Sequence, residues 1–229
     1  MMQGLLYGIK RFPADLKNSD LFLLFLSIAL AVSAITGVTF LGDRLRLSIK
    51  QQAAVVLAAD VTLRSTAPIG PKYLSIAKAQ ELNTAETISF LSMTLHDGNS
   101  VLSSIKATTP GYPLRGKLKL LDLNGQNIEK PTGSPMRGNI WVEQSLIDRF
   151  NISKGDSITL GNERFAVSAV LVDFPDRNDG FLAFAPTVIA NIEDLDAMGV
   201  IQPGSRVVYR QLYSGRENQI DSFVNTLQN

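Results

Sequence analysis

Residues 21–41 read LFLLFLSIALAVSAITGVTFL, twenty-one residues without a charge. Asp20 precedes the run, and Asp43 lies just past it, one residue beyond Gly42. At 1.5 Å per residue a helix of this length spans roughly 30 Å, the thickness of a bilayer's hydrocarbon core. The run is therefore read as a membrane-spanning helix, and the remainder of the chain as a domain held at the membrane surface. A second reading competes. Residues 21–31 could form the apolar core of a secretory signal, with Val32, Ser33 and Ala34 as a small-residue cleavage site. Three features favour the anchor. The leader before the run contains Pro13, Asp15 and Asp20. The apolar run continues past the cut through Ile35, Val38, Phe40 and Leu41. It then passes without a break into a helical pattern.

Towards the N-terminus, Leu5, Leu6, Ile9 and Phe12 share one helical face, with Lys10, Arg11 and Lys17 among them. A short amphipathic helix in the membrane interface would use this face. A disordered leader is the alternative, because Pro13 interrupts the pattern. Towards the C-terminus, residues 43–59 contain no glycine or proline, and Leu45, Ile49, Ala53 and Val56 recur at helical spacing. The spanning helix is expected to run on as a stalk, about 57 Å long in all. Orientation is not set by charge, since Lys10, Arg11 and Lys17 before the span equal Arg44, Arg46 and Lys50 after it.

About 190 of the 229 residues remain for folded structure, enough for one sizeable domain or two small lobes. The net charge of +1 gives no field that would draw nucleic acid. The absence of cysteine excludes disulfides, thiol catalysis and cysteine-based zinc sites. Strands are expected at 60–64, 86–95, 101–108, 114–122, 139–142, 158–160, 164–172, 181–184 and 206–213. Helices are expected at 71–82, opened by Pro71, and at 143–150, 187–198 and 215–227. Turn chemistry at His96-Asp97-Gly98-Asn99 and Gly161-Asn162 makes two hairpins. Hairpins mixed with short helices describe an α+β fold.

Catalytic signatures are scarce. The sequence has no GxxxxGK[ST] loop, no dinucleotide fingerprint, no HExxH and no GxSxG elbow. His96 is the sole histidine. Its place in a hairpin turn beside Asp97 reads as a solvated residue rather than a triad base. Asp173, Asp176 and Asp179 lie within seven residues. Oxygen-rich clusters can hold Ca²⁺, but Arg177 among them opposes a cation, and a polar loop is expected. Trp141 could anchor a partner, yet its apolar strand places it in the core. No residue is assigned a catalytic, cofactor-binding or metal-ligating role.

Several blocks occur in order: Phe40-Leu41-Gly42-Asp43-Arg44-Leu45, Gln52-Ala53-Ala54, and Leu57-Ala58-Ala59-Asp60-Val61-Thr62-Leu63. Ser104-Ile105-Lys106-Ala107 leads to Pro110-Gly111-Tyr112-Pro113-Leu114-Arg115-Gly116. Next come Gly138-Asn139-Ile140-Trp141-Val142-Glu143, Ile152-Ser153-Lys154-Gly155-Asp156-Ser157-Ile158, Pro175-Asp176-Arg177 and Gln202-Pro203-Gly204-Ser205-Arg206-Val207. In these blocks the chain resembles the FtsX/MacB-type permeases of ABC transporters, and most of all their YbbP-like branch. The resemblance covers nearly the whole chain. It implies a leader at 1–20 on the cytoplasmic side, a span at 21–41 in the bacterial inner membrane, a stalk at 42–59 and a periplasmic α+β domain at 60–229.

The same resemblance implies further permease spans and a separate cytoplasmic ATPase, whose motion is relayed to the periplasmic domain. It implies hydrophobic or lipid-like cargo and a periplasmic esterase as a partner. No cofactor and no catalytic residue transfer from such a family. The chain ends at Asn229 without a second span, so it is expected to be the N-terminal part of a permease, as a fragment or a split gene product. Two other readings stand beside it: an anchored or secreted interaction domain, and a membrane-anchored hydrolase that would need His96 against a serine.

Overall fold

The structure is a computed structural model that describes residues 19–129, 131, 133–153, 155–177, 184–202 and 204–228. The leader helix and residues 181–183 of the strand expected at 181–184 fall outside them. The described residues form two compact units, divided between Gln51 and Gln52. Helix α1 covers Ser19–Val56, its last residues belonging to the second unit.

In the first unit the apolar side chains of α1 are exposed, Ile35 to 69% and Val38 to 72%. Water solvates such a surface poorly, and the helix is long and apolar enough to cross a membrane. Two polar side chains in the run bond back to the helix's own carbonyls. Ser27 Oγ donates to the Leu24 carbonyl at 2.7 Å and Thr39 Oγ1 to that of Ile35 at 2.9 Å. Where charge resumes, the Arg44 guanidinium lies 5.1 Å from the centre of the Phe40 ring.

The second unit is built on nine strands: β1 (Val61–Ser65), β2 (Asn83–His96), β3 (Asn99–Thr108), β4 (Lys119–Leu121), β5 (Asn139–Glu143), β6 (Ser157–Leu160), β7 (Glu163–Asp173), β8 (Thr187–Asn191) and β9 (Val208–Ser214). Its helices are α2 (Pro71–Ala79), α3 (Gln144–Phe150), α4 (Leu195–Met198) and α5 (Glu217–Gln228). The sheet runs β1-β9-β2-β3-β8-β5-β7-β4, and β6 pairs with both β7 and β2. That last pairing, Thr94 with Leu160 and Leu95 with Thr159, closes β2-β3-β8-β5-β7-β6 into a small barrel. Strand β2 is long enough to hold β9 along residues 83–89 and β6 near its far end, on the same edge.

Every barrel strand contributes to one interior cluster. Phe90, Ile105, Val188, Ile140, Phe165 and Ile158 come from β2, β3, β8, β5, β7 and β6 in turn. Leu146 and Phe150 of α3, with Leu195 and Met198 of α4, join it. Other positions of β5, β7 and β8 feed a second cluster outside the barrel, including Trp141, Leu171 and Ile189 with Leu212 of β9, Tyr112 and Phe174. A third places Ala77 and Phe223, from α2 and α5, against Tyr213.

This two-sided burial corrects the sequence reading at residues 187–198. Residues 187–191, TVIAN, form a strand buried at every position, between β3 and β5. A strand covered on both faces loses its period of two and mimics a buried helix. Only residues 192–198 turn helically, as a 3₁₀ turn followed by α4. The strand expected at 114–122 shrinks to Lys119–Leu121, because residues 112–116 are bonded elsewhere. The hairpin at 96–99 is as expected, with Asp97 and Gly98 at φ 44° and 79°.

Phe90→Ala is expected to cost about 3–5 kcal/mol, since its ring fills the barrel. Met93→Ala, exposed on the same strand, is expected to stay within about 0.5 kcal/mol. Chemical denaturation of the detergent-solubilised chain, followed through Trp141 fluorescence, measures both.

Candidate functional site

Helix α1 ends inside the second unit, and its termination builds the site. Ala58 adopts the left-handed conformation at φ 59°, and the chain leaves the helix there. Its side chain is fully buried, as is that of Ala59. The last carbonyls find partners: Ala53 accepts from Leu57 N at 2.9 Å and Ala54 from Ala59 N at 3.0 Å. The Val56 carbonyl is bonded by the distant Asp176 amide at 2.9 Å.

Just beyond, Asp60 holds the exit in place. Arg115 donates to its carboxylate twice, from Nε at 2.9 Å and Nη2 at 2.7 Å. The Gly215 amide adds a third bond at 3.1 Å, and the Asp60 amide donates to the Tyr213 carbonyl at 3.0 Å. Arg115 also gives its amide to the Ala58 carbonyl at 2.9 Å. Its hydrogen bonds to Asp60 raise the guanidinium pKa above its ordinary value, against a smaller opposing effect of burial. Gly116, at φ 84°, lets the segment pass Pro175, whose ring carbons would stand 3.1–3.2 Å from any Cβ.

Beneath this exit lies a buried charge cluster. Lys106 of β3 is 0% exposed and reaches Asp176 Oδ2 at 3.1 Å. The same ammonium donates to the Asp176 carbonyl. Arg210 of β9 donates to Asp176 Oδ1 at 2.8 Å. The Lys106 ammonium also sits 5.2 Å from the Phe174 ring centre and 5.8 Å from that of Tyr112. Asp176, at φ 57°, thus joins α1 through its amide and two strands through its carboxylate. The Tyr112 hydroxyl donates to the Pro175 carbonyl at 2.8 Å. Burial first, and the Asp176 charge second, push its pKa well above the usual tyrosine range. The buried hydroxyls of Thr87 and Ser89, cross-strand from Arg210 and Lys106, have no hydrogen-bond partner among the described residues.

A cleft of about 440 Å³ opens beside the cluster. Val55, Val56, Phe174 and Pro175 line it, along with Asp176 and with Lys117, Lys119, Asp173 and Arg177. Arg177 stacks 4.7 Å from the Phe174 ring centre and pairs with Glu143 at 3.2 Å.

The residues singled out in the sequence fare differently. Trp141 is a core residue, 6% exposed. His96 is not the solvated turn residue expected. Its side chain is 9% exposed, stacked 5.7 Å from Phe150, with Nδ1 2.9 Å from the Ser157 carbonyl. Nε2 faces Asp97 at 3.6 Å and Asp156 at 3.9 Å. The polar loop at 173–179 is also partly corrected. Asp173 lies at the surface with Lys119 and Arg177, while Asp176 is buried and Asp179 is outside the described residues. Among the described residues no three His, Cys, Asp or Glu could hold a metal ion together. The local sequence does not mark Lys106 and Arg210 as members of a site. In the run Ser104-Ile105-Lys106-Ala107-Thr108 the alternation places Lys106 on a solvent face, whereas in the fold it is buried against Tyr112, Phe174 and Asp176.

Residues 21–221 match the profile of the MacB-like periplasmic core domain. The chain belongs to this family. The blocks quoted from the sequence point the same way. An uncharacterised ABC transporter permease of Escherichia coli (strain K12), YbbP, is 27% identical over 212 residues, which are 93% of this chain and 25% of that protein. The chain therefore spans about a quarter of the length of the curated relative it matches. Two solved structures are also similar. The extracellular domain of the noncanonic ABC-type transporter YknZ from Gram-positive bacteria has a TM-score of 0.48 at 10% identity, covering 69% of this chain and 79% of that one. The periplasmic region of MacB from Actinobacillus actinomycetemcomitans has a TM-score of 0.46 at 12% identity, covering 73% and 81%. In this MacB-like chain an apolar helix precedes the folded part.

Asp176→Asn leaves two buried cations facing a neutral group. It is expected to destabilise the domain by about 3–5 kcal/mol, whereas replacing Lys106, Asp176 and Arg210 together by apolar residues of similar volume is expected to be nearly neutral. Denaturant unfolding of both variants checks this. A second expectation concerns pH. Burial raises the phenol pKa of Tyr112 and of Tyr213. The unfolded chain releases these protons first, near pH 10, so stability present below about pH 10 should fall as pH rises further. Melting curves between about pH 9 and 11.5 should show this fall, and a shallower one in Tyr112→Phe.

Proposed function

We propose that this chain is the part of an ABC transporter permease that turns helix motion into work outside the membrane. Residues 1–20 lie on the cytoplasmic side, 21–41 cross the bacterial inner membrane, 42–59 continue as the stalk, and 60–229 form the periplasmic domain. A partner ATPase in the cytoplasm drives the spans between two arrangements, and the domain moves with them. The cargo is hydrophobic or lipid-like, and a periplasmic esterase works beside the domain.

One observation carries this reading. The last turn of α1 is bonded into the domain through Asp176 N to Val56 O, and its exit is held by Asp60 and Arg115. A loosely tethered anchor needs no such joint, since a flexible linker would absorb any displacement. Membership of the MacB-like family and similarity to a permease support the same conclusion. A hydrolase reading gains nothing from His96, whose ring nitrogens face a carbonyl and two carboxylates.

The permease containing this chain is expected to co-purify with an ATPase subunit from mildly solubilised membranes. Asp60→Asn combined with Arg115→Gln is expected to keep that association but lower substrate-stimulated ATP turnover severalfold. Repeated absence of the ATPase removes the transport reading, and unchanged turnover in the variant removes the role of the joint.

A further inference from the structure

We propose that the cleft beside the end of α1 is a docking site for an anionic amphiphile with one acyl chain and a carboxylate head. The cleft has two chemistries side by side. Its floor is apolar: Val55 and Val56 are 47% and 66% exposed there, next to Phe174 and Pro175. Two adjacent valines left open at the end of a helix offer surface that water solvates poorly and an acyl chain would cover. Its rim is cationic. Lys117, Lys119 and Arg177 line it, against the carboxylates of Asp173 and Asp176. The Asp176 charge is already answered from inside by Lys106 and Arg210. Arg177 is answered by Glu143 at 3.2 Å and Lys119 by Asp173 at 3.7 Å, which leaves Lys117 as the rim cation without a carboxylate partner among the described residues.

The placement of the cations suits a small anionic head. Lys117 and Lys119 are exposed and alternate with the buried Leu118 and Leu120, so both project to the same side. Their Cα atoms stand about 7 Å apart in extended chain, close enough for one carboxylate to meet both flexible ammonium groups. Arg177 is fixed at the opposite end of the lining by Phe174 and Glu143. The volume, about 440 Å³, lies within the range for small-molecule sites, roughly 300–1,000 Å³, and would accommodate one acyl chain. This inference deepens the export reading, because it gives the hydrophobic cargo a charge sign and a place. Binding itself requires no ATPase, so the two readings fail separately.

The test uses the full chain in nanodiscs of zwitterionic phosphatidylcholine and isothermal titration with dodecanoate, with the signal of empty discs subtracted. Dodecanol supplies the chain without the charge, and acetate and inorganic phosphate supply the charge without the chain. Saturable binding of one dodecanoate per chain is expected. Lys117→Glu with Lys119→Glu, both surface changes, is expected to weaken it at least about tenfold, as is Val56→Asp. Unchanged Trp141 emission certifies that each variant is folded. Dodecanol binding as tightly as dodecanoate would mean a greasy surface only, and acetate or phosphate binding as tightly an adventitious ion only. Either result overturns the proposal, as does a dodecanoate affinity that the double variant leaves untouched or a signal no larger than that of empty discs.

Discussion

The Asp176 carboxylate lies between Lys106 and Arg210, while the amide of the same residue completes the end of α1. Removing two cations and an anion from water is costly, and the arrangement persists only because each charge has a partner at bonding distance. Those partners stand on β3 and β9, on opposite sides of β2. One side chain thus registers two strands against each other, and its backbone registers a helix against both. Neutralising the carboxylate would leave two buried cations stranded, next to the backbone bond from the Asp176 amide to the Val56 carbonyl. Helix termination and core electrostatics therefore meet in one residue.

The barrel supplies the frame that such a joint requires. Its closure through two short pairings between β2 and β6 gives every barrel strand a neighbour on each side. Its interior is filled from all six strands, so a displacement of one wall is resisted by the others. The outer face of β3, β5 and β8 is covered in turn by residues 112–118 and 174, which bring Tyr112, Leu118 and Phe174 over Trp141 and Ile189. The segments that cover this face also bind the helix exit, through Arg115 and Asp176. Packing and coupling therefore share the same residues.

Under the proposed permease role, this arrangement is where motion of the helix would reach the domain. The Asp60–Arg115 pair is partly exposed and by itself contributes modestly, as surface pairs do. Its value lies in geometry: two parallel bonds, a shared contact with Gly215 and the Arg115 amide on Ala58 fix direction as well as distance. The cleft at the same place sets an apolar floor and a cationic rim next to the helix end. A ligand there would meet both the helix end and the residues that hold it.

The sequence alone determined the helix through the apolar run and its continuation, both hairpins, most strands and the α+β class. These depend on local periodicity and turn chemistry, which act over a few residues. The family was legible too, in blocks such as Tyr112 to Gly116 and Pro175 to Arg177. The tertiary structure decided the rest. Residues 187–191 became a strand because both their faces are covered, which erases the alternation that would announce it. His96 was buried by Phe150 and Ser157, and Lys106 by segments distant in sequence, although both looked solvated in their own neighbourhoods. The cluster of Lys106, Asp176 and Arg210 was illegible for the same reason. Its members lie 34 or more residues apart, and the pairing that makes them a site exists only once the sheet has brought the strands together.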